Sequence, residues 1–199
     1  MKAAIAAMAT RARQPGRMFL FALNFVKHPK MLGTPFPSPR LVVDQILKRI
    51  NWQEARVIVE YGPGVGNITT EILRRMQPGA ILLAIETNGE FTEYLRETLS
   101  DSRLHVVHGS AADVATWLAQ LGCRQVDYVI SGIPFSTIPG TVREGILRAT
   151  HAVLRPHGVF LVYQYSRQVL PSLKKTFGRV HRNFMLFKVV PMWLFHCWR

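Results

Sequence analysis

Residues 57–69 read Val-Ile-Val-Glu-Tyr-Gly-Pro-Gly-Val-Gly-Asn-Ile-Thr, an apolar run followed by three closely spaced glycines. The apolar run predicts a strand, the glycines a turn, and the residues after them a helix. Glycines in such a turn let the backbone approach a ligand without a Cβ atom in the way. The spacing Gly-x-Gly-x-Gly differs from that of dinucleotide sites, and the absence of Gly-Lys-Ser/Thr excludes a P-loop. The segment predicts a ligand-binding strand–turn–helix unit of another kind.

Strands and helices alternate around this unit. The five predicted strands are short and rich in Val, Ile and Leu: 56–60, 81–85, 104–108, 126–131 and 159–165. The predicted helices are 41–50, 68–76, 90–99, 111–121, 141–154 (closed by Pro156 and Gly158) and 167–176. Such strands between helices indicate a parallel sheet covered on both faces. Two further strands, 179–184 and 187–195, are spaced as a hairpin. We expect an α/β fold with a mostly parallel seven-stranded sheet and a C-terminal antiparallel hairpin.

The composition fits one domain with a large core. The chain has 199 residues, of which 48% are hydrophobic and 19% are charged, which excludes a disordered or fibrous chain. Cys123 and Cys197 are too few for a disulfide scaffold or a structural zinc site, which favours a reducing, cytoplasmic setting. The seven histidines lack metal-ligand spacing, so we expect no bound metal.

The net charge of +13 is concentrated at the two ends of the chain. Residues 1–60 carry ten basic and three acidic side chains, and residues 161–199 carry seven basic and no acidic ones. The middle, residues 61–160, is nearly balanced, with eight basic and nine acidic side chains. Such an excess points to a polyanionic partner, either nucleic acid or an anionic membrane surface.

The first 33 residues predict a basic amphipathic segment ahead of the domain at 34–199. Phe19, Leu20, Leu23 and Val26 recur at helical spacing between basic residues, within a helical stretch at 2–27. Such a helix can lie in a membrane interface, although packing on the core is the alternative. The apolar run at 18–26 is shorter than the roughly 20 residues of a membrane span. The opening residues mimic a signal peptide, but we expect no cleavage.

Glu86 ends the next predicted strand after the glycine turn. A carboxylate at that place can accept hydrogen bonds from both hydroxyls of a ribose. A glutamate that caps a helix or lies on the surface would also fit the position. The combination of Glu86 with the glycine turn favours ribose binding.

This combination resembles the class I S-adenosylmethionine (SAM) methyltransferases, which have a Rossmann-like fold. The resemblance implies SAM as cofactor and S-adenosylhomocysteine (SAH) as product. It assigns Glu60 and the glycine turn to the methionine end of SAM, Glu86 to the ribose, and the loop after the third strand to the adenine. Many members carry an acid at the position of Ser110, so the adenine contact falls to Ser110, to backbone groups or to Asp113. The implied cofactor-binding residues are Ser38, Glu60, Gly62, Gly64, Gly66, Asn67, Glu86, Thr87, Gly109, Ser110, Ala111 and Ser131.

The fourth predicted strand runs into Ser-Gly-Ile-Pro-Phe at 131–135, and in this fold that loop presents the nucleophile. The rRNA adenine dimethyltransferases carry Asn-x-Pro-Tyr or Asn-x-Pro-Phe here, and the Asn carbonyl helps to hold the target amine. Gly132 stands at the Asn position, so no side-chain amide remains to hold a base edge. Those enzymes also carry a helical C-terminal domain, for which this chain has little room.

Ser-Gly-Ile-Pro-Phe, together with Glu-Tyr-Gly-Pro-Gly at 60–64, resembles the bacterial phospholipid N-methyltransferases. The resemblance extends over about residues 20–197, through Pro37-Ser38, Gly-Ser-Ala at 109–111, Val180-x-Arg182-Asn183-Phe184, Pro191 and Trp193. It implies methylation of phosphatidylethanolamine toward phosphatidylcholine at the membrane surface. An RNA adenine N-methyltransferase, an ornithine-lipid or small-molecule amine N-methyltransferase, and a non-enzymatic binder of membrane or RNA stay open as alternatives.

In the implied reaction a lipid amine loses a proton and takes the methyl group of the sulfonium. Tyr61, Tyr163 and Tyr165, or a water that they hold, are the candidate proton acceptors. The faces of these tyrosines and of Phe135 could hold a quaternary ammonium by cation–π contacts, although a single aromatic residue more often packs in a core. The predicted catalytic residues are Tyr61, Ser131, Gly132, Pro134, Phe135 and Tyr165, and the predicted substrate-binding residues are Tyr163, Tyr165 and Arg182.

The two basic ends are expected to border the same substrate face. That arrangement would dock the protein on an anionic membrane surface beside its phospholipid substrate. We therefore expect a peripheral protein on the inner face of the cell membrane. Nucleic acid is the less favoured partner, and a monomer is the favoured state.

Overall fold

The computed structural model of the protein describes residues 40–187 and 190–199. The predicted segment 1–33 and Ser38 lie outside the described residues. The strands are β1 Val57–Tyr61, β2 Ile81–Glu86, β3 Leu104–His108, β4 Val126–Ser131, β5 Leu154–Gln164, β6 Arg179–Phe187 and β7 Val190–Trp198. The helices are α1 Arg40–Leu47, α2 Asn67–Arg75, α3 Gly89–Thr98, α4 Val114–Gln120, α5 Gly140–Val153 and α6 Leu170–Thr176. A short 3-10 helix, Ala111–Asp113, precedes α4.

The strands form one seven-stranded sheet in the order β3-β2-β1-β4-β5-β7-β6. Strands β1 to β5 are parallel, and β7 runs antiparallel to both β5 and β6. Because β1 lies between β2 and β4, the chain reverses its progress across the sheet beside β1. Open α/β sheets bind their ligands at such a switch point. The predicted α/β, Rossmann-like fold with a C-terminal antiparallel hairpin is confirmed.

Neighbouring residues of the central strands pack on opposite faces of the sheet. In β1, Ile58 joins the apolar cluster that contains α1 and α2, whereas Val59 joins the cluster that contains α4, α5 and α6. Leu82 and Leu83 of β2 divide in the same way, and all four side chains are fully buried. Because helices cover both faces, the central strands are apolar at nearly every position, as parallel strands usually are.

The boundary between α5 and β5 differs from the predicted one. β5 begins at Leu154, directly after α5, and its pairing with β4 jumps from Leu154 to Val159. The residues between them bulge from the ladder, and His157 there has a φ of 67°. Pro156 and Gly158 therefore mark a bulge inside a strand, where such residues are tolerated, rather than a stop between two elements.

The C-terminal hairpin also turns later than predicted. β6 continues to Phe187 and β7 begins at Val190, because the apolar residues after 184 extend the strand pattern instead of forming the turn. None of the helices within 40–187 and 190–199 is long and apolar enough to cross a membrane.

Candidate active site

Three glycines carry the chain away from the same edge of the sheet. The amide of Gly62 donates to the Ile85 carbonyl at 2.9 Å, that of Gly109 to Glu86 at 2.8 Å, and that of Gly132 to Tyr61 at 2.9 Å. Each bond extends a ladder between parallel strands by one residue. The loops after β1, β3 and β4 therefore start together at the carboxyl edge, beside the switch point.

The turn after β1 requires its glycines. Gly62, Gly64 and Gly66 have φ values of 67°, 57° and 79°, in the left-handed region that side chains disfavour. A Cβ atom on Gly66 would also lie 2.6 Å from Cδ2 of Leu95. The turn is thus fixed by backbone shape and close packing, and Asn67 follows it as the first residue of α2.

Glu86 faces this turn from the end of β2. One carboxylate oxygen accepts from the Gly64 amide at 3.0 Å, and the other accepts from the amides of Thr87 at 2.8 Å and Asn88 at 3.0 Å. Burial raises the pKa of Glu86, and these hydrogen bonds act in the opposite direction. The helix-capping side chain of α3 is that of Asn88. Glu86 is therefore a buried carboxylate at the turn, neither a cap nor a surface group.

Glu60 is a second buried carboxylate near the same place. It accepts a hydrogen bond from the Thr69 hydroxyl at 2.7 Å, and burial raises its pKa to about 8. The negative charge of Glu86 adds a smaller increase. In the described part of the chain, no Lys or Arg forms an ion pair with Glu60 or Glu86. Two buried carboxylates in a glycine-lined turn suit a ligand that brings hydroxyl donors and a positive charge.

The raised pKa of Glu60 predicts a pH-dependent stability. Between the ordinary value of 4.5 and about 8, the native state holds a proton that the unfolded chain has lost. The free energy of unfolding should therefore fall as pH rises through this range. Urea unfolding at pH 5, 6.5 and 8 measures this fall. Between pH 5 and pH 8, the free energy of unfolding of Glu60→Gln should fall by at least about 1.4 kcal/mol less than that of wild type. Parallel curves for the two proteins would contradict the protonated state of Glu60.

Gly132 and Tyr163 form the most specific contact of the site. A Cβ atom on Gly132 would overlap the Tyr163 hydroxyl, and would lie 3.0 Å from Cζ of that ring and 3.2 Å from the Gly62 carbonyl oxygen. Burial raises the pKa of Tyr163, and the charges of Glu60 and Glu86 add to the increase. The phenol therefore keeps its proton. Its oxygen occupies the space that a side chain at 132 would fill.

The alternation of the strands explains which residues meet. Ile58, Ile130 and Leu161 all belong to the cluster on the α1–α2 face. Glu60, Gly132 and Tyr163 each follow one of them by two positions, which places them on the same face. The site is therefore built where three neighbouring strands end, on one face of the sheet.

Two predicted catalytic residues lie in the core instead. Tyr61 is fully buried, its hydroxyl bonds the Thr150 hydroxyl at 3.1 Å, and its ring meets Phe160 edge-on. Phe135 is fully buried in the same cluster. Burial also raises the pKa of Tyr61. Neither residue presents an aromatic face to the carboxyl edge, and the Tyr61 phenol is not a base there.

The other predicted site residues are distributed around the edge. The Ser131 hydroxyl is buried and accepts from the Ile133 amide at 3.3 Å, Pro134 is half-buried, and Tyr165 is exposed. Ser110 caps the 3-10 helix through the Ala112 amide at 3.1 Å, and Ala111 is buried. Arg182 pairs with Phe195, three strands along from Ser131. At the usual strand spacing that is about 14 Å, too far for Arg182 to contact a group at Gly132.

Gln164 is the residue that sequence reasoning missed. Its side-chain oxygen accepts from the Phe135 amide at 3.1 Å, and its nitrogen donates to the carbonyls of Ile133 at 2.6 Å and Tyr163 at 3.0 Å. This buried amide holds the loop after β4 against β5. A glutamine in an otherwise apolar strand was the available signal, because buried polar side chains are nearly always hydrogen-bonded.

Replacing Gln164 with leucine should destabilise the loop it holds. The substitution removes the hydrogen bonds of the Gln164 amide to the Phe135 amide and the Ile133 carbonyl, which keep only the 2.9 Å bond between them. Each lost hydrogen bond costs about 0.5–1.5 kcal/mol. The control is Gln168→Leu, on an exposed side chain, which should change stability by less than about 0.5 kcal/mol. Chemical denaturation of both variants measures the difference, and equal stabilities would contradict the role of Gln164.

Metal-ligating side chains show no grouping at this site. Among the residues that the structure describes, no three His, Cys, Asp or Glu side chains come together in a way that could hold a metal ion. The expectation that no metal is bound stays a prediction.

The chain is similar to two kinds of methyltransferase. A family model described as ribosomal RNA adenine dimethylase matches residues 26–136, more than half of the chain. The ornithine lipid N-methyltransferase of Singulisphaera acidiphila is 34% identical over 143 residues, 71% of this chain and 74% of that protein. The ribosomal RNA small subunit methyltransferase A of a Sulfurihydrogenibium species is 38% identical over 78 residues, 39% of this chain and 30% of that protein.

A solved structure extends the likeness to the whole fold. An O-methyltransferase from Bacillus cereus, in complex with SAH, matches 100% of this chain and 98% of its own with a TM-score of 0.69. At 10% identity that match speaks for the fold alone. The family match and the relative from Singulisphaera acidiphila show the family of the chain as well as its fold. The chain is a SAM-dependent methyltransferase and belongs to the ribosomal RNA adenine dimethylase family.

Proposed function

We propose that the protein methylates the head-group amine of a membrane aminolipid. The relative from Singulisphaera acidiphila supports the amine of an ornithine lipid as the first substrate to test. The resemblance to phospholipid N-methyltransferases supports phosphatidylethanolamine as the second. Both are amines on a small polar head group held at a bilayer surface.

The observation that carries the proposal is the pairing of Gly132 with Tyr163. A flat base amine held by an Asn amide needs a side chain at 132, and the Tyr163 hydroxyl occupies that space. The phenol oxygen offers one acceptor in place of the planar amide. A single acceptor suits a tetrahedral alkyl amine, which can turn about its C–N bond to reach it.

The residues present fit SAM. We assign its ribose to Glu86 and Thr87, and its methionine end to Glu60, Gly62, Gly64, Gly66 and Asn67. We assign its adenine to Gly109, Ser110 and Ala111. Ser131 pairs in register with Tyr61, so its side chain points to the opposite face of the sheet from Glu60 and Gly132, and we assign it no contact with cofactor or substrate. Within residues 40–187 and 190–199, neither buried carboxylate forms an ion pair with Lys or Arg, and this supports the assignment because SAM brings ribose hydroxyls and positive charge. When bound, SAM supplies a methyl group on a positively charged sulfur.

The chain's own contribution is to position the amine and to dispose of its proton. Tyr163 keeps its proton because burial raises its pKa, so it orients the amine through its oxygen and is not the base. Tyr61 lies out of reach in the core. We propose that water at the open edge, beside the exposed Tyr165, takes the proton. Holding the amine in line with the methyl group supplies most of the rate enhancement.

Methyl transfer from radiolabelled SAM tests the proposal directly. Vesicles of phosphatidylglycerol would carry ornithine lipid in one set and phosphatidylethanolamine in another, with a ribosomal RNA fragment as a third substrate. Chromatography then separates the products. Label in an N-methylated lipid is the expected result, and its position identifies the head group. Label in RNA alone, or none while calorimetry shows SAM binding, would overturn the proposal.

A further inference from the structure

The C-terminal hairpin projects beyond the rest of the sheet at the carboxyl edge. The pairing of β5 with β7 ends at Gln164 and Trp193, whereas β6 and β7 continue to pair as far as Phe187 and Val190. Three more residue pairs correspond to about 10 Å of unaccompanied ribbon. We call residues 184–187 and 190–193 the hairpin tip. It extends past the level at which the site residues lie.

The hairpin tip exposes large apolar side chains. Phe184 is 53% exposed and Leu186 is 65% exposed. Within the described part of the chain, the other exposed large apolar side chains are Tyr165, at the end of β5, and Val142, in the first turn of α5. All four lie at the carboxyl edge, because helices in this fold begin where strands end. Clustered apolar exposure of this kind marks an interaction surface.

Basic groups accompany these apolar side chains. The guanidinium of Arg167 lies 5.1 Å from the centre of the Trp193 ring, and that ring contacts Phe184 with centroids 5.0 Å apart. Arg182, two residues before Phe184, is exposed on the same face of β6. No Asp or Glu follows Glu144 in the sequence. The surface therefore combines bulky apolar groups with positive charge that no neighbouring carboxylate in this part of the sequence offsets.

We propose that the hairpin tip inserts into the surface of a bilayer containing anionic lipid. Phe184 and Leu186 would enter the boundary of the acyl chains, and Arg167 and Arg182 would meet the lipid phosphates. An RNA backbone would match the charge, but an aliphatic side chain as exposed as Leu186 gains nothing from it. The inference rests on the proposed function, since a bilayer lying across this edge presents head-group amines to the ends of β4 and β5.

Flotation of the full chain with vesicles tests the tip. The vesicles would contain phosphatidylcholine with phosphatidylglycerol, and the variants would be Phe184→Ser and Leu186→Glu. Each should lower the vesicle partition coefficient about tenfold, because each removes one large apolar side chain from the interface. The matched control is Gln125→Glu, which adds the same charge as Leu186→Glu at an exposed position before β4, on the opposite edge. It should change binding less than twofold.

Two further measurements distinguish failure of this inference from failure of the proposed function. SAM binding by calorimetry should be unchanged in all variants, which shows that they fold. Unchanged vesicle binding by Phe184→Ser and Leu186→Glu would overturn the inference. A change in self-association or RNA binding in place of vesicle binding would also overturn it. Tip-dependent vesicle binding without methylation of either aminolipid would support the docking surface while refuting the proposed function.

Discussion

Replacing Gly132 with alanine is expected to reduce methyl transfer at least 100-fold. The backbone at 132 does not have a positive φ, so the penalty comes from space alone. The new methyl group would overlap the Tyr163 hydroxyl and press on the Gly62 carbonyl, which itself belongs to the cofactor turn. Overpacking of this kind costs about 1–3 kcal/mol, and here it also displaces the group that we propose orients the amine.

A double-mutant cycle with Tyr163→Phe locates the cause. Removing the hydroxyl relieves the worst overlap, so Gly132→Ala should cost much less stability in the Tyr163→Phe background than in wild type. Gly145→Ala is the matched control, because Gly145 lies within α5 with open space around its Cβ position. Alanine should stabilise that helix by about 0.5–1 kcal/mol. Additive effects at 132 and 163 would show that the two residues do not compete for space.

The substitution Glu86→Gln should weaken SAM binding about 100-fold. Hydrogen bonds to a charged group contribute about 1.5–3 kcal/mol each, and the amide keeps the size of the carboxylate but loses its charge. It also places an NH2 group where the carboxylate accepts from the amides of Gly64 or of Thr87 and Asn88. Calorimetry would measure the dissociation constants for SAM and SAH. Both should rise, because the ribose is common to the two molecules.

The matched control is Glu93→Gln, which makes the same charge change on an exposed side chain of α3. It should leave SAM binding within twofold of wild type. Because Glu86 also orders the glycine turn, the melting temperature without ligand should fall for Glu86→Gln. A variant that lost stability but kept its affinity for SAM would show that Glu86 only supports the turn.

The sequence predicted the frame of the site well. Apolar strands that are buried on both faces leave a pattern that can be recognised in the sequence alone. The spacing of the glycines after β1 predicted a turn there, and the structure adds that all three have positive φ values. Glu86 could be placed because it ends a strand next to that turn. These features depend on local chemistry and on the regular geometry of parallel strands.

The prediction that the Tyr61 side chain faces the ligand was wrong, and the sequence already contained the reason. Side chains alternate along a strand, so Glu60 and Tyr61 cannot both face the ligand. The contacts of Gly132 with Tyr163, and of Gln164 with the loop after β4, join residues about 30 positions apart in the chain. No periodicity within one segment encodes which side chain of β5 meets that loop, so these contacts needed the structure.

The position of β7 affects the order in which the protein can be built during synthesis. β6 leaves the ribosome before β7, yet in the folded sheet β7 lies between β5 and β6. Until β7 emerges, the open side of β5 has no neighbour and β6 has no strand to join. The apolar side chains of β6 are then exposed to solvent, although strands β1 to β5 have already been synthesised. Because β6 and β7 are consecutive and pair over nine residues, we expect them to form a hairpin that docks on β5 through β7 and thereby completes the sheet.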